Sequence, residues 1–388
     1  MRPPAPPSEV DFTSRLRSPA VAARVGRWLG ICFGVAFLTG LYSHFSQDTP
    51  SWLTLPTRPV NLYRWTQGLH VTAGTAAVPL LLVKLWTVYP RLFARIPAGS
   101  KAKAVEAVER LSIAVLVAGA TFQLVTGLAN SAQWYPWRFV FRGTHYAVAW
   151  ITIGALLVHI AVKLPVIRAA LGSDVEASQP GDRPSMASTY RGLSRRGLLR
   201  VTWVAAGAAV LVTAGSAVPL LRRVSVFGVR SGGGPQDLPI NKSAVEAEVI
   251  SRAMAPSYRL TIRNGDVHRQ LSRAELLALP QTDKTLPIAC VEGWSTSGDW
   301  TGVRLRDLFQ LVDVHEPVDV VIRSLQRSGS YVVTDMPAGF MGDDDTLLAL
   351  KLNGDDLSID HGFPCRIIAP ARPGVLQTKW VASIEVAT

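Results

Sequence analysis

Five apolar segments, at about 27–44, 63–86, 107–129, 143–164 and 198–221, constrain this chain more than anything else in it. Each approaches the ~20 residues that an α-helix needs to cross the hydrocarbon of a bilayer. Gly and Pro inside them, such as Pro79, are tolerated in membrane helices, where neighbouring elements satisfy the freed backbone groups. The 388 residues, 48% of them hydrophobic, leave room for two or three domains, so part of the chain belongs in lipid and part outside it. Charge divides the same way. The overall +12 conceals 15 Lys+Arg against 19 Asp+Glu from residue 240 onward, and 25 against 9 before it. The basic residues flank apolar segments and form no stripe on a soluble domain, which argues against a nucleic-acid partner and for membrane lipid.

Topology follows from those flanks. The tail to Arg27, the 84–110 connection and the 163–200 stretch carry eighteen basic residues, whereas the alternate loops hold only Arg58, Arg64, Arg138 and Arg142. The positive-inside rule then puts the N-terminus in the cytoplasm and, after five crossings of the cell membrane, residues 222–388 outside it. Trp52, Trp65, Trp134, Tyr135 and Trp137 fall near the expected outer helix ends, as an aromatic belt requires. Before the fifth segment, Ser194-Arg195-Arg196-Gly197-Leu198-Leu199-Arg200 resembles a twin-arginine export signal. That resemblance implies the twin-arginine translocation machinery as a partner and a cofactor acquired before export. Ordinary flanking charge is the alternative. Ala214-Gly215-Ser216-Ala217 is a candidate cleavage site, although an uncleaved anchor is the favoured reading.

The expected organisation is a disordered basic cytoplasmic tail (1–26), a four-helix transmembrane domain (27–165), a cytoplasmic linker ending in the paired arginines (166–196), a fifth transmembrane anchor helix (197–222), a Gly/Pro linker (223–239) and an extracytoplasmic domain (240–388). In the last of these, short apolar runs at Tyr258–Ile262, Val318–Ile322, Tyr331–Val333, Arg366–Ile368 and Ile384–Val386 read as strands, with turns at Asn264-Gly265 and Asn353-Gly354. Helical patterns at Arg273–Leu279 and Leu305–Val312 complete an α+β domain. The fold class is therefore an all-α membrane bundle followed by an α+β domain.

Three histidines lie inside the apolar segments. His145 and His159 are 14 residues apart in the fourth, almost four whole turns, which puts both imidazoles on one face about 21 Å apart along the axis. This is the spacing that four-helix b-type cytochromes use to stack two haems, with a parallel partner helix repeating it. The second segment runs parallel to the fourth and offers His70, but the position 14 residues on is Lys84. We therefore expect one bis-histidine haem b on the outer side, held by His70 and His145. His159 is a third candidate iron ligand without a histidine partner, and His44 is an alternative at an interface. The pattern resembles cytochrome b561-like proteins and implies exchange of electrons with the quinone/quinol pool.

Only three cysteines occur, Cys32, Cys290 and Cys365, which excludes a disulfide scaffold. Cys290 stands between a short apolar run and a Gly-Trp turn, in Ile288-Ala289-Cys290-Val291-Glu292-Gly293-Trp294-Ser295. Together with Trp300-Thr301-Gly302-Val303-Arg304-Leu305-Arg306-Asp307-Leu308, Asp360-His361-Gly362-Phe363-Pro364-Cys365-Arg366 and Gln377-Thr378-Lys379-Trp380, in that order, this stretch resembles the oxidoreductase molybdopterin-binding domain of the sulfite oxidase family. The resemblance covers roughly 240–388. It implies Mo-molybdopterin, with Cys290 as the protein's thiolate ligand to molybdenum and His361, Arg366, Gln377, Thr378 and Lys379 as pterin contacts, to which Asn241 is a candidate addition. A thiolate is the soft, strongly donating ligand that an oxo-metal takes, and Arg366 and Lys379 suit a terminal phosphate. Tyr331 and the Ser328-Gly329-Ser330 turn are candidates to face the same pocket. Because Cys365 lies inside a pterin motif, no Cys290–Cys365 bridge is expected.

Cys290-x-Glu292 resembles the bacterial methionine sulfoxide reductase branch, whose catalytic subunit works with a membrane haem subunit, and makes Glu292 a candidate catalytic residue. The expected function is a membrane-anchored molybdenum oxidoreductase that exchanges an oxygen atom with a small oxo-substrate, favouring reduction of an S-oxide or N-oxide. Sulfite oxidation in the opposite direction, and a non-catalytic binding module with the same fold, stay open on sequence.

Overall fold

A computed structural model of the chain describes residues 14–94, 99–177, 192–228 and 234–387, together with Phe12. Residues 1–11 and Thr13 of the expected disordered tail, residues 178–191 of the expected cytoplasmic linker and residues 229–233 of the Gly/Pro linker lie outside the described residues, whereas residues 19–26 of that expected tail are helical. Five long helices are present: α1 (Pro19–Gln47), α2 (Leu62–Val88), α3 (Ser100–Ser131), α4 (Phe141–Gly172) and α5 (Arg195–Thr213). All five are long and apolar enough to cross a membrane. They overrun the apolar segments at most ends, because polar and basic turns such as Arg195-Arg196 continue the helical hydrogen bonding beyond the hydrocarbon stretch. A membrane setting accounts for α4, which leaves Ile151, Leu157, Val158 and Val162 exposed; in water such a surface would associate.

The chain forms two compact units, one of residues Met1–Gly40 and Leu69–Ala214, the other of Leu41–Gly68 and Gly215–Thr388. In the first, α3 and α4 cross where Gly119 meets Thr152, a close approach of the small-residue kind found between membrane helices. Glu109 and Lys163 form an ion pair between the same two helices. The paired arginines are engaged as well. Arg195, 2% exposed, donates from Nε to the Arg15 carbonyl at 2.7 Å and from Nη1 to the Ala177 carbonyl at 2.6 Å. Arg196 pairs with Asp174 at 3.0 Å.

In the second unit two five-stranded sheets form the α+β domain. The first runs in the order β2 (Val267–Leu271), β1 (Leu260–Asn264), β10 (Val381–Val386), β5 (Val320–Ser324), β6 (Val333–Met336), with β1 and β10 parallel. The second runs β3 (Thr282–Ala289), β4 (Ser295–Arg304), β7 (Leu347–Leu352), β8 (Asp355–Asp356), with β9 (Arg366–Ile368) also pairing β7. Short helices α6 (Ile250–Ala253), α7 (Arg273–Ala278), α8 (Leu305–Gln310) and α9 (Ala338–Met341) join them. α7 begins with a capping box in which Ser272 and Glu275 satisfy each other's backbone N–H groups.

β7 explains its own composition. Leu348 and Leu350 enter one core cluster with β1, β5 and α8, while Leu347, Ala349 and Leu352 enter another with Cys290, Trp294 and Trp300. A strand buried on both faces reads as a continuous apolar run. β3 and β4 were illegible for opposite reasons: Pro287 sits within β3, which tolerates it as an edge strand, and β4 begins with the polar run Ser-Thr-Ser-Gly-Asp.

Gly302 marks the irregularity between β4 and β7, and a Cβ there would lie 2.2 Å from the Leu348 carbonyl oxygen. Gly302→Val should lower the melting transition of the purified chain by the equivalent of about 2–3 kcal/mol, whereas Gly339→Ala, which meets nothing within 4 Å, should change it by less than about 1 kcal/mol. Equal shifts for the two would contradict the packing of β4 on β7.

Candidate molybdopterin and haem sites

Cys290 follows β3 directly and is 1% exposed. The β3–β4 hairpin holds it: its N–H donates to the Trp294 carbonyl at 2.8 Å, and Gly293 N–H donates back to the Cys290 carbonyl at 3.0 Å. Gly293 sits at φ 91°, which a side chain would strain, so the turn demands glycine there. Glu292 accepts a 3.0 Å hydrogen bond from Trp294 Nε1, which orients its carboxylate two residues from the thiol. Neither Cys290 nor Cys365 is part of a disulfide. Cys365 lies in the other core cluster against Tyr258 Oη at 3.1 Å, and burial pushes its thiol up to about 12.

The predicted pterin contacts gather around one cleft. Asn241, Arg366, Gln377, Thr378 and Lys379 all line it, and so does Tyr331 with its preceding turn residues. Lys242 and Gln326, which sequence reasoning missed, join them, their side chains 3.0 Å apart. No local motif could flag the pair, since one lies in the segment before α6 and the other after β5. Cys290, Glu292 and His361 are outside the described lining of this cleft. The cleft nevertheless abuts the cysteine's strand: a Cβ on its lining residue Gly374 would lie 3.0 Å from the Ala289 carbonyl oxygen, and Cys290 and Lys379 are in electrostatic reach of each other.

Arg366, 3% exposed, donates to the carbonyls of His361 (3.1 Å) and Gln377 (3.2 Å) and lies over the Trp300 ring at 5.1 Å. Burial lowers its guanidinium to about 9. Lys379 donates to the carbonyls of Lys242 (2.5 Å) and Asp360 (2.9 Å); burial, then the neighbouring Arg366, lowers it to about 7. His361 is brought down to about 4 by burial and Arg366, and its Nε2 lies 2.6 Å from the Pro235 carbonyl, so Nε2 carries the proton of a neutral ring. Thr378 and Thr334 share a hydroxyl bond of 2.7 Å. Gln377 donates through Nε2 to two carbonyls while its buried Oε1 has no partner.

This donor set fits a molybdopterin. A buried carboxamide oxygen without a donor suits a ring N–H, and two buried cations suit an anionic tail. Among the described residues no group of three or more His, Cys, Asp and Glu is placed to hold a metal, so a metal at Cys290 must bring further ligands, as a pterin dithiolene does.

In the helical unit His70 of α2 and His145 of α4 face each other with ring centroids 6.4 Å apart. His70 Nδ1 lies 2.8 Å from the Ala36 carbonyl, which can only accept, so Nδ1 carries the proton. His145 Nδ1 lies 3.0 Å from Thr126 Oγ1, whose own proton goes to the Phe122 carbonyl, so this Nδ1 donates too. Both Nε2 lone pairs are thus left for a metal, and the ring separation admits one ion with ~2 Å bonds on each side. His159 is not brought to this pair. The charged groups that act on it are Lys84, Lys163 and Glu109.

Residues 246–388 match the family model for the oxidoreductase molybdopterin binding domain, and residues 24–164 match that for prokaryotic cytochrome b561. The chain is a cytochrome b561 domain joined to an oxidoreductase molybdopterin binding domain. Haem b and Mo-molybdopterin are the cofactors of this pair of domains. Among curated relatives, the b561–molybdopterin chain is 30% identical over 34% of its length to half of a putative protein-methionine-sulfoxide reductase subunit YedZ1 of Azospira oryzae. It is 31% identical over 30% of its length to 57% of the uncharacterized oxidoreductase YuiH of Bacillus subtilis, and 26% identical over 39% of its length to 47% of a sulfite oxidase of Arabidopsis thaliana. The chain thus spans about half the length of these relatives.

Two outcomes follow for the b561–molybdopterin chain. His70→Ala and His145→Ala should each abolish the α band of the dithionite-reduced protein, and His159→Ala should retain it. In the cofactor-free protein Lys379 should make stability rise with pH above about 7. The unfolded lysine (~10.4) keeps its proton there while the folded one sheds it, so the unfolded state binds more protons. Lys379→Met should flatten that rise in melting temperature between pH 7 and 9.

Proposed function

We propose that this membrane protein reduces a small S-oxide or N-oxide at molybdenum outside the cytoplasm, drawing electrons from the quinol pool through its haem b module. The observation that carries the reading is the buried thiol of Cys290, set at the end of β3 beside the cleft where Arg366, Gln377, Thr378 and Lys379 converge. Bound molybdenum supplies two-electron exchange of an oxygen atom, so an S-oxide, two electrons and two protons become a sulfide and water.

The chain's residues divide that work. Cys290 anchors the metal through Sγ. Gln377, Thr378 and Asn241 receive the pterin's polar edge; Arg366 and Lys379 hold its anionic end; His361, neutral and donating to Pro235, orders the loop between them. Glu292, held by Trp294, sets its carboxylate two residues from Cys290 as the catalytic group. His70 and His145 bind the haem iron through Nε2. The excess of basic residues on alternate loops puts the N-terminus in the cytoplasm and the molybdenum domain outside, and the Ser194–Arg200 motif makes the twin-arginine machinery its route. The relatives favour opposite directions: one is named as part of a sulfoxide reductase, another as a sulfite oxidase. The Cys290-x-Glu292 spacing favours reduction.

Steady-state assays of the purified full chain separate the directions, with methionine sulfoxide and a reduced dye in one arm and sulfite and an acceptor in the other. Turnover in the first arm is expected, with stoichiometric molybdenum. Cys290→Ser should lower it by more than about 100-fold, beyond the usual cost of losing an outer partner of a metal ligand. Sulfite turnover alone would reverse the assigned direction, and full activity in Cys290→Ser would remove the enzyme reading.

A further inference from the structure

The loop that presents Cys290 is held by a residue outside the molybdopterin motifs. Gln67 lies in the second turn of α2, four residues after Tyr63, so the two share a face, and both are buried at 6% and 1% exposure. With residues 41–66 they belong to the same compact unit as the molybdopterin domain. Gln67 Nε2 donates to the carbonyl of Val291, the residue after Cys290, at 3.3 Å. A carbonyl only accepts, so the amide can stand only with its nitrogen on Val291 and its oxygen turned away. That oxygen, Oε1, is buried and has no hydrogen-bond partner. Tyr63 reaches the same neighbourhood: its hydroxyl bonds Ser43 Oγ at 2.9 Å and it is in electrostatic reach of Cys290 and Tyr331.

The segment before Gln67 is anchored in a way that fixes this arrangement. Arg58 pairs with Asp343 (3.0 Å) and Asp345 (2.6 Å), the Val60 carbonyl accepts from Ala371 N–H at 3.0 Å, and Arg64 donates to Ser297 Oγ at 3.0 Å. A buried acceptor held rigidly and left without a donor points to a ligand that supplies one.

We propose that Gln67 is a positioning residue of the molybdenum site: its amide N–H fixes the backbone beside the Cys290 thiolate, and its Oε1 accepts a hydrogen bond from an N–H or O–H group that arrives with the cofactor or its water. The molybdopterin motifs are then incomplete without a residue of a membrane helix. This inference rests on Cys290 being the molybdenum ligand.

Two variants of the full-length holoprotein test it. Gln67→Met removes donor and acceptor at constant bulk. It is expected to keep its molybdenum and haem content, shift the g-values of the EPR signal of partly reduced molybdenum, and lower kcat by about 10- to 100-fold, as loss of an outer partner of a metal ligand does. Gln67→Glu, when protonated, reproduces the donor and the acceptor, and when ionised loses the donor and sets a charge against the Val291 carbonyl. It should match the parent at acid pH and lose both the parent EPR signature and kcat as pH rises, a limb absent from the parent profile. Unchanged g-values and kcat in both variants, with the parent loaded, would overturn the role of Gln67 alone. A parent without molybdenum, or one that Cys290→Ser leaves unaltered, would overturn the site reading and this inference with it.

Discussion

Arg366 is the interaction on which the molybdopterin cleft depends. Its guanidinium spans the His361 and Gln377 carbonyls and lies on the face of Trp300, so one cation joins two separated motifs to a third on the strand paired with that of Cys290. A buried guanidinium is costly unless its donors are met, and two backbone carbonyls and an aromatic face meet them here. The same burial sets its electrostatic effect. Arg366 helps hold His361 neutral and lowers Lys379 toward neutrality, so the cleft stores positive charge that an anionic tail would relieve.

A parallel constraint acts in the helical unit. A polar ring among apolar helices needs its N–H met, and the Ala36 carbonyl and Thr126 hydroxyl meet those of His70 and His145. Satisfying one nitrogen of each ring orients the other toward its opposite number. Where the next pair along the helices would stand, Lys84 donates to the Ala22 carbonyl at 2.9 Å, and Lys163 pairs with Glu109. That half of the unit is organised by charge and has no second facing histidine pair among its described residues.

Much of this was legible in the sequence for identifiable reasons. Lipid imposes length and apolarity, so all five long helices could be read from composition alone, although α1 begins at Pro19 inside the expected tail and α5 ends at Thr213, short of the expected 221. The strands at β1, β5, β9 and β10 announced themselves by apolar runs between turn residues, the run expected at Tyr331–Val333 meets β6 only at Val333, and β3 and β4 carry a proline and a polar start that only pairing with neighbours overrides. In the site, Cys290, His361, Arg366 and the Gln377–Lys379 run were marked by motifs. Lys242, Gln326 and Gln67 were not, because each reaches the site from a different element and carries no local signal.

The sequence by itself determined the two-domain plan, the membrane character, the one thiol with the motif context of a metal ligand, and the one histidine pair at matching depth in parallel helices. Each follows from periodicity, charge bias or a contiguous motif, which the order of residues encodes directly. Only the tertiary structure decided which nitrogen of each of the two facing histidines donates a hydrogen bond, that His159 stands apart, that Cys365 lies in a different core from Cys290, and that residues 41–68 belong with the molybdopterin domain. These depend on hydrogen-bond partners and burial between residues far apart in the chain, where spacing along the sequence carries no information.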